Sequence, residues 1–333
     1  MSGAKSSSAI ETTGTAEPVR PYRGRFAPTP SGPLHFGSLV AALASHLDAR
    51  AHRGEWLVRI EDIDPPRERP GAADLILSQL ERLGLHWDGP VLRQSTRNEA
   101  YQDAIDRLLR LGQLRRCTCS RAALAALPEN RARAPGEDLY HPTECVGIEP
   151  GLGGRYALRL RVADGEIEFV DRAQGRQSAN VARTHGDFVL RRRDGLYAYQ
   201  LAVVVDDAEQ GILDIVRGMD LLTSTPRQVL VQEALGFARP SYMHIPLAVD
   251  ESGRKLSKSG DAPAVALASP GVQLAAALRF LGQQPPADLW GEDAAEVLQW
   301  GIANWRPEGF TGVTRRPVPD TGCCEEAKQE GIE

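Results

Sequence analysis

Two segments far apart in the chain carry residue types suited to phosphate chemistry: Arg25 to Ser38, reading RFAPTPSGPLHFGS, and Lys255 to Ser259, reading KLSKS. The first sets small residues and one imidazole where a strand gives way to a helix. N–H groups at such a helix start, here Gly37, Ser38 and Leu39, hold phosphate oxygens because the helix dipole and the unbonded N–H groups point the same way. Gly37 lets a nucleotide approach the backbone closely, and His35 donates to phosphate. The segment suits a triphosphate; by itself it is equally a Pro/Gly turn ahead of a helix. The lysines Lys255 and Lys258, between Gly253 and Gly260, are by themselves an ordinary solvated basic loop.

A second group of residues has metal chemistry. Cys117-Thr118-Cys119, followed by Tyr140-His141-Pro142-Thr143-Glu144-Cys145, supplies three thiols and a choice of fourth donor, which suits a closed tetrahedral zinc. The fourth ligand is open between Tyr140 and His141. No catalytic base stands beside an open coordination position, so the metal is read as structural. Cys323 and Cys324 complete the five cysteines, an odd number in two clusters, which is not the layout of a disulfide framework.

These residues need a scaffold, and the hydrophobic pattern gives one. Arg23 to Ala27 reads as a short strand, Leu39 to Arg53 as a helix, Trp56 to Ile60 as a strand and Ala72 to Leu83 as a helix. That order implies crossover units and a parallel sheet. From about Tyr101 to Arg193 the character changes to a long helix, a cysteine-bearing Pro/Arg-rich stretch and alternating runs such as Tyr156 to Val162, as in an insertion with antiparallel strands. Leu201 to Val205, Leu213 to Val216 and a helix near Arg227 to Leu235 then resume the first style, and Gln273 to Trp305 reads as helical. The expected divisions are a disordered tail over 1–20, the first half of a catalytic domain over 21–105, an insertion over 106–190, the second half over 191–270, a helical remnant over 271–310 and a flexible tail over 311–333.

The bulk composition, 42% hydrophobic and 25% charged over 333 residues, is that of a globular protein. No long apolar run and no secretion signal are evident, so a cytoplasmic protein without a membrane partner is expected. The net charge of −5 means that any nucleic acid must be held by local arginine clusters. Arg115, Arg116, Arg121, Arg131, Arg133 and the run Arg191 to Arg193 are the candidates, although runs of surface arginine are usually just solvated faces.

In this order and wording, HFGS and KLSKS resemble the paired signatures of class I aminoacyl-tRNA synthetases. RFAPTPSGPLHFGSL, RIEDIDPPR, YQLAVVVDD and IVRGMDLLTSTPRQ are similar to the glutamyl-tRNA synthetase group, over roughly Arg23 to Ser259. The resemblance implies an α/β fold, a Rossmann-like parallel sheet split by an α+β zinc-bearing insertion, with a short helical C-terminal remnant. It implies ATP with magnesium and activation of L-glutamate as an adenylate, through positioning and charge stabilisation rather than covalent catalysis. Pro33, His35, Gly37, Ser38 and Lys258 would bind ATP, and His35, Lys255 and Lys258 would be catalytic, Lys258 stabilising the pentavalent state and departing pyrophosphate. Glutamate would be bound by Arg25, Ala27, Thr29, Glu61, Tyr199 and Arg217. Of these, Arg25 and Arg217 would face substrate carboxylate, Glu61 the ammonium, and Tyr199 would form a wall. Arg217 is the discriminating residue, because a neutral amide would not need a second cation. The related pattern has a tyrosine four residues before the last cysteine; here Tyr140 lies five before Cys145 and His141 four.

The chain ends 74 residues after Ser259, too few for the anticodon-reading helical domain of the group. That architecture resembles the branch whose members attach glutamate to queuosine in the anticodon loop of aspartate tRNA, acting here as an expected monomer. A shortened synthetase that charges an acceptor end, and a catalytically inactive RNA-binding regulator, are the competing expectations.

Overall fold

The computed structural model describes residues 21–133, 138–145, 155–250, 253–254, 265 and 268–319. Two parallel strands, β1 (Arg23–Phe26) and β2 (Glu55–Ile60), pair in the register Arg23↔Glu55 to Phe26↔Val58 and are joined by helix α1 (Phe36–Ala51). Such pairing needs a long crossover, which α1 supplies. Its residues from Leu39 to Ala49 are nearly all buried, polar Ser45, His46 and Asp48 included. Burial on every side is why α1 shows little amphipathic pattern. Each of two buried polar side chains has a partner: Ser45 Oγ accepts from Trp56 Nε1 at 3.0 Å, and Asp48 accepts from Arg172 at 2.6 and 2.8 Å and from Trp305 Nε1 at 3.0 Å.

Helix α2 (Ala72–Arg82) leads to β3 (Leu92–Arg93), parallel to β2, and then to α3 (Asn98–Arg110). Strand β4 (Leu114–Cys117) and short helix α4 (Arg121–Ala125) follow, then β5 (Ala157–Leu160), β6 (Ile167–Asp171), β7 (Gly175–Ala179), short helix α5 (Val181–Thr184) and β8 (Phe188–Arg191). Strands β4, β5 and β8 form an antiparallel sheet. Strand β6 joins a different sheet, with β7 on one side and, through Tyr242↔Asp171, the later strand β10 (Ser241–Ile245) on the other. Residues 167–179 therefore belong to the sheet of the later strands, not to that of β4, β5 and β8.

The remaining elements are α6 (Tyr199–Glu209), β9 (Asp214–Gly218), α7 (Thr225–Leu235), β11 (Leu247–Val249), α8 (Pro270–Phe280), α9 (Ala294–Ala303) and β12 (Arg315–Pro317). The apolar run Leu201 to Val205 lies within α6, buried throughout, so that no helical period marks it in the sequence. Strand β9 is parallel to β10, and its neighbour Leu213 donates N–H to Arg23 O at 3.4 Å, bringing β9 beside β1. The parallel α/β class is as the sequence implies. Helices α8 and α9 cover α1, and one core contains Leu39, Leu43, Leu47, Leu274, Leu278 and Val297.

Candidate active site and metal centre

A cleft of about 850 Å³ is lined by Thr29, Glu61, Tyr199, Leu221 and Ser224 and, from the antiparallel strands and their flanking segments, by Arg121, Leu139, Arg155, Phe188 and Tyr197. Beneath it lies a buried charge network. Asp207, on α6, accepts from Arg25 Nε at 3.1 Å and from Arg59 Nη1 at 2.7 Å, while Arg59 Nη2 donates to Glu61 Oε1 at 3.4 Å. Burial opposes ionisation of Asp207, but Arg25 and Arg59 outweigh it and hold this carboxyl below its usual range. For Glu61 burial wins over Arg59 and Arg25, and its carboxyl is raised. Arg25 spends Nε and Nη2 on Asp207, which leaves Nη1 without a hydrogen bond among the described residues.

Arg217, on β9, is 4% exposed and is held by neutral groups. Nε donates to His244 Nε2 at 3.0 Å, Nη1 to Gln228 Oε1 at 2.7 Å and Nη2 to Thr225 Oγ1 at 2.8 Å, and the guanidinium stacks 5.3 Å over the Tyr242 ring. It makes no ion pair with a carboxylate among the described residues; Glu61 pairs with Arg59 instead. Glu61, Arg217, Arg25 and Asp207 all act on the Tyr199 hydroxyl, which burial first and Glu61 next raise above its usual value. Four of the glutamate-site candidates thus share one neighbourhood, and Thr29 lines the same cleft. Ala27 is half-buried just after β1 and does not line the cleft.

His35 caps α1: its Nδ1 accepts from Ser38 N at 3.3 Å, and the ring lies against the backbone of Gly37, where an added Cβ would stand 3.1 Å from Cε1. Pro33, His35, Gly37 and Ser38 are half-buried and do not line the cleft. Lys255 and Lys258 lie outside the described residues.

At the edge of the antiparallel sheet, donor atoms of Cys117, Cys119, His141 and Cys145 all lie within 4.8 Å of one another. Cys117 Sγ is 3.1 Å from His141 Nε2, near the roughly 3.5 Å edge of a tetrahedron with zinc-like bond lengths. Burial disfavours the Cys117 thiolate, but the His141 ring and the Cys119 N–H outweigh it and lower this thiol; burial and then Cys117 raise Cys119. The imidazole thus completes a Cys3His set fit for a closed metal site. Tyr140, the other candidate, has its backbone N–H on Asn130 Oδ1 at 2.7 Å, and its hydroxyl is raised by burial and then by Glu144. His141 is locked by His141 N to His185 O at 2.9 Å and Asp187 N to His141 O at 3.1 Å. That clasp requires Gly186, which has φ +65° and would place a Cβ 1.7 Å from His141 O.

The region 21–268 matches the family of class I tRNA synthetases (E and Q), catalytic domain. The chain belongs to the class I tRNA synthetases of the E and Q type. It is 52% identical over 298 residues, 87% of this chain and 94% of the other, to the glutamyl-Q tRNA(Asp) synthetase of Pseudomonas fluorescens. The protein of the same description from Dechloromonas aromatica is 53% identical over 298 residues, covering 90% of this chain and 97% of the other. The crystal structure of a glutamate-tRNA synthetase from Elizabethkingia anophelis is similar with a TM-score of 0.76 at 25% identity, over 91% of this chain and 69% of that one.

In this class I synthetase several residues of the site carry no role in the sequence reading: Arg59, Asp207, Asp171, His244 and Gln228. Their signal is a polar or charged residue inside an apolar run, as in WLVRI, AVVVDD and YMHI. Such a residue needs a buried partner. The partner itself is not in the pattern, since Arg59 and Asp207 are 148 positions apart. No helix among the described residues of the synthetase is long and apolar enough to cross a membrane.

Proposed function

We propose that this synthetase activates L-glutamate with ATP and magnesium and transfers it to queuosine in the anticodon loop of aspartate tRNA. The observation that carries the amino-acid choice is Arg217, a buried cation held by neutral acceptors among the described residues. A buried guanidinium without a counter-ion is costly, and the side-chain carboxylate of glutamate supplies one where a glutamine amide would not. In this reading the unspent Nη1 of Arg25 also meets substrate carboxylate, Glu61 takes the ammonium, and Tyr199 and Thr29 wall the site. The α-carboxylate attacks the α-phosphate of ATP beside His35 and the α1 N-terminus, and pyrophosphate leaves with Lys255 and Lys258 stabilising its charge. A hydroxyl of the queuosine ring then attacks the acyl carbon and AMP departs.

The acceptor assignment is supported by the similarity to glutamyl-Q tRNA(Asp) synthetases over nearly their whole length. The cleft, with Arg121, Arg155, Arg192 and Arg193 along its rim, is the RNA-facing side in this reading. Zinc on Cys117, Cys119, His141 and Cys145 is structural, tying the strand end of β4 to the segment before β5. The protein acts as a cytoplasmic monomer, its catalytic domain split by the insertion. Arg217→Ala is expected to abolish glutamate-dependent pyrophosphate exchange; near-normal exchange refutes the pocket. Nuclease mapping of labelled glutamate on tRNA tests the acceptor: label on the terminal adenosine instead of the anticodon nucleotide establishes a shortened acceptor-charging enzyme.

A further inference from the structure

The hydrogen bonds of Arg217 continue one layer further than substrate recognition requires. Arg217 Nε–H points at His244 Nε2 at 3.0 Å, so Nε2 must offer its lone pair, and the ring proton sits on Nδ1, which donates to Asp171 Oδ2 at 2.6 Å. Both His244 and Asp171 are buried. The other oxygen of Asp171, Oδ1, accepts from three backbone N–H groups: Ala173 at 3.0 Å, Gln174 at 2.9 Å and His244 at 3.2 Å. These three donors come from the turn between β6 and β7 and from β10. They anchor the carboxylate in one orientation.

We propose that Asp171 and His244 are positioning residues for amino-acid recognition: Asp171 fixes the tautomer of His244, whose bare Nε2 aims the Arg217 guanidinium at the substrate's side-chain carboxylate. The inference rests on the glutamate pocket proposed above. Its logic is one of matched donors and acceptors. Were His244 to carry its proton on Nε2, or on both nitrogens, two donors would face each other across 3.0 Å and Arg217 would be turned out of line. Burial and the neighbouring Arg217 charge keep the imidazole from charging, against the pull of Asp171. In Asp171→Asn the three backbone donors demand the amide oxygen on their side, so the amide NH2 faces Nδ1 and drives the ring to the wrong tautomer.

The test uses the full chain and ATP–pyrophosphate exchange, with separate KM values for glutamate and ATP. Asp171→Asn is expected to raise the glutamate KM by about tenfold or more while the ATP KM stays within about twofold. His244→Gln with Asp171 kept can still donate its amide NH2 to Asp171 Oδ2 and accept from Arg217 at its amide oxygen, so its glutamate KM should stay near the original value, whereas His244→Leu, which offers no acceptor, should raise it as Asp171→Asn does. Residues that merely support the fold would not separate these two substitutions at position 244 by glutamate KM alone. Histidine-selective 15N spectra of the unaltered protein, with the His244 signals assigned by their loss in His244→Gln, should show a protonated Nδ1 and a bare Nε2. A protonated Nε2, an unchanged glutamate KM in Asp171→Asn, or equal glutamate KM values in His244→Gln and His244→Leu overturns the relay. Arg217→Lys separates the two levels: if it raises the glutamate KM and Asp171→Asn does not, the relay alone fails, and if neither changes it, the pocket beneath it fails as well.

Discussion

Arg59 Nη1 and Asp207 Oδ1 meet at 2.7 Å across 148 positions of sequence, fully shielded from solvent on the arginine side. The pair joins β2 to α6, two elements far apart in the chain. Asp207→Ala leaves Arg25 buried without a counter-ion and Arg59 with only Glu61 at 3.4 Å, and about 3–5 kcal/mol of unfolding free energy should be lost in a denaturant titration. The folded carboxyl is depressed, so its stabilisation is present above the ordinary aspartate value of about 3.9 and is lost as pH falls through the folded value. Loss of less than about 1 kcal/mol on substitution would mean that the network is not what ties α6 to β1 and β2.

Glu61 has the opposite sign. Its carboxyl is raised by burial, so the free protein gains stability below the ordinary glutamate value of about 4.3 and loses it as pH rises through the folded value. Glu61→Gln should therefore leave the free protein at least as stable at pH 7 while raising the glutamate KM by about thirtyfold or more, since the ammonium loses a buried counter-ion. In the unaltered enzyme the glutamate KM should fall with rising pH through the Glu61 titration and then level off. A variant with the same pH profile as the original excludes Glu61 as the titrating group.

Metal loading should depend on both the donors and their clasp. Cys117→Ser is expected to reduce zinc from one per chain to a small fraction by atomic spectroscopy. Gly186→Ala, which alters no ligand side chain, should also weaken retention against a chelator, because its Cβ would collide with the backbone oxygen of His141. Full zinc retention in Gly186→Ala would show that the backbone clasp does not orient His141.

Arg121 and Arg155 line the cleft without an ion pair to a described residue, whereas Arg192 and Arg227 are engaged by Asp194 and Asp138. Free guanidinium groups at a cleft rim are the ones available to phosphate. Each of Arg121→Ala and Arg155→Ala should leave pyrophosphate exchange unchanged and weaken tRNA binding, reducing the salt slope of log K by about 1. Equal slopes in variant and original place the RNA elsewhere.

The sequence alone determined what kind of molecule this is, because phosphate chemistry and parallel pairing leave local marks. The RFAPTPSGPLHFGS turn ahead of an apolar helix, the alternating strand and helix runs, and a CxC followed by Tyr140-His141 and Cys145, with the fourth ligand open between the two, are all short-range patterns. The elements from β1 to α2 fall within a few residues of where those patterns end. Only the tertiary structure decided who partners whom. That Glu61 pairs with Arg59 rather than Arg217, that β6 joins β10 rather than the antiparallel sheet, and that Asp171 meets His244, 73 positions away, are outcomes of long-range packing. A buried charge announces in sequence that it needs a partner, but which one it meets depends on how the strands order themselves, and no local spacing encodes that order.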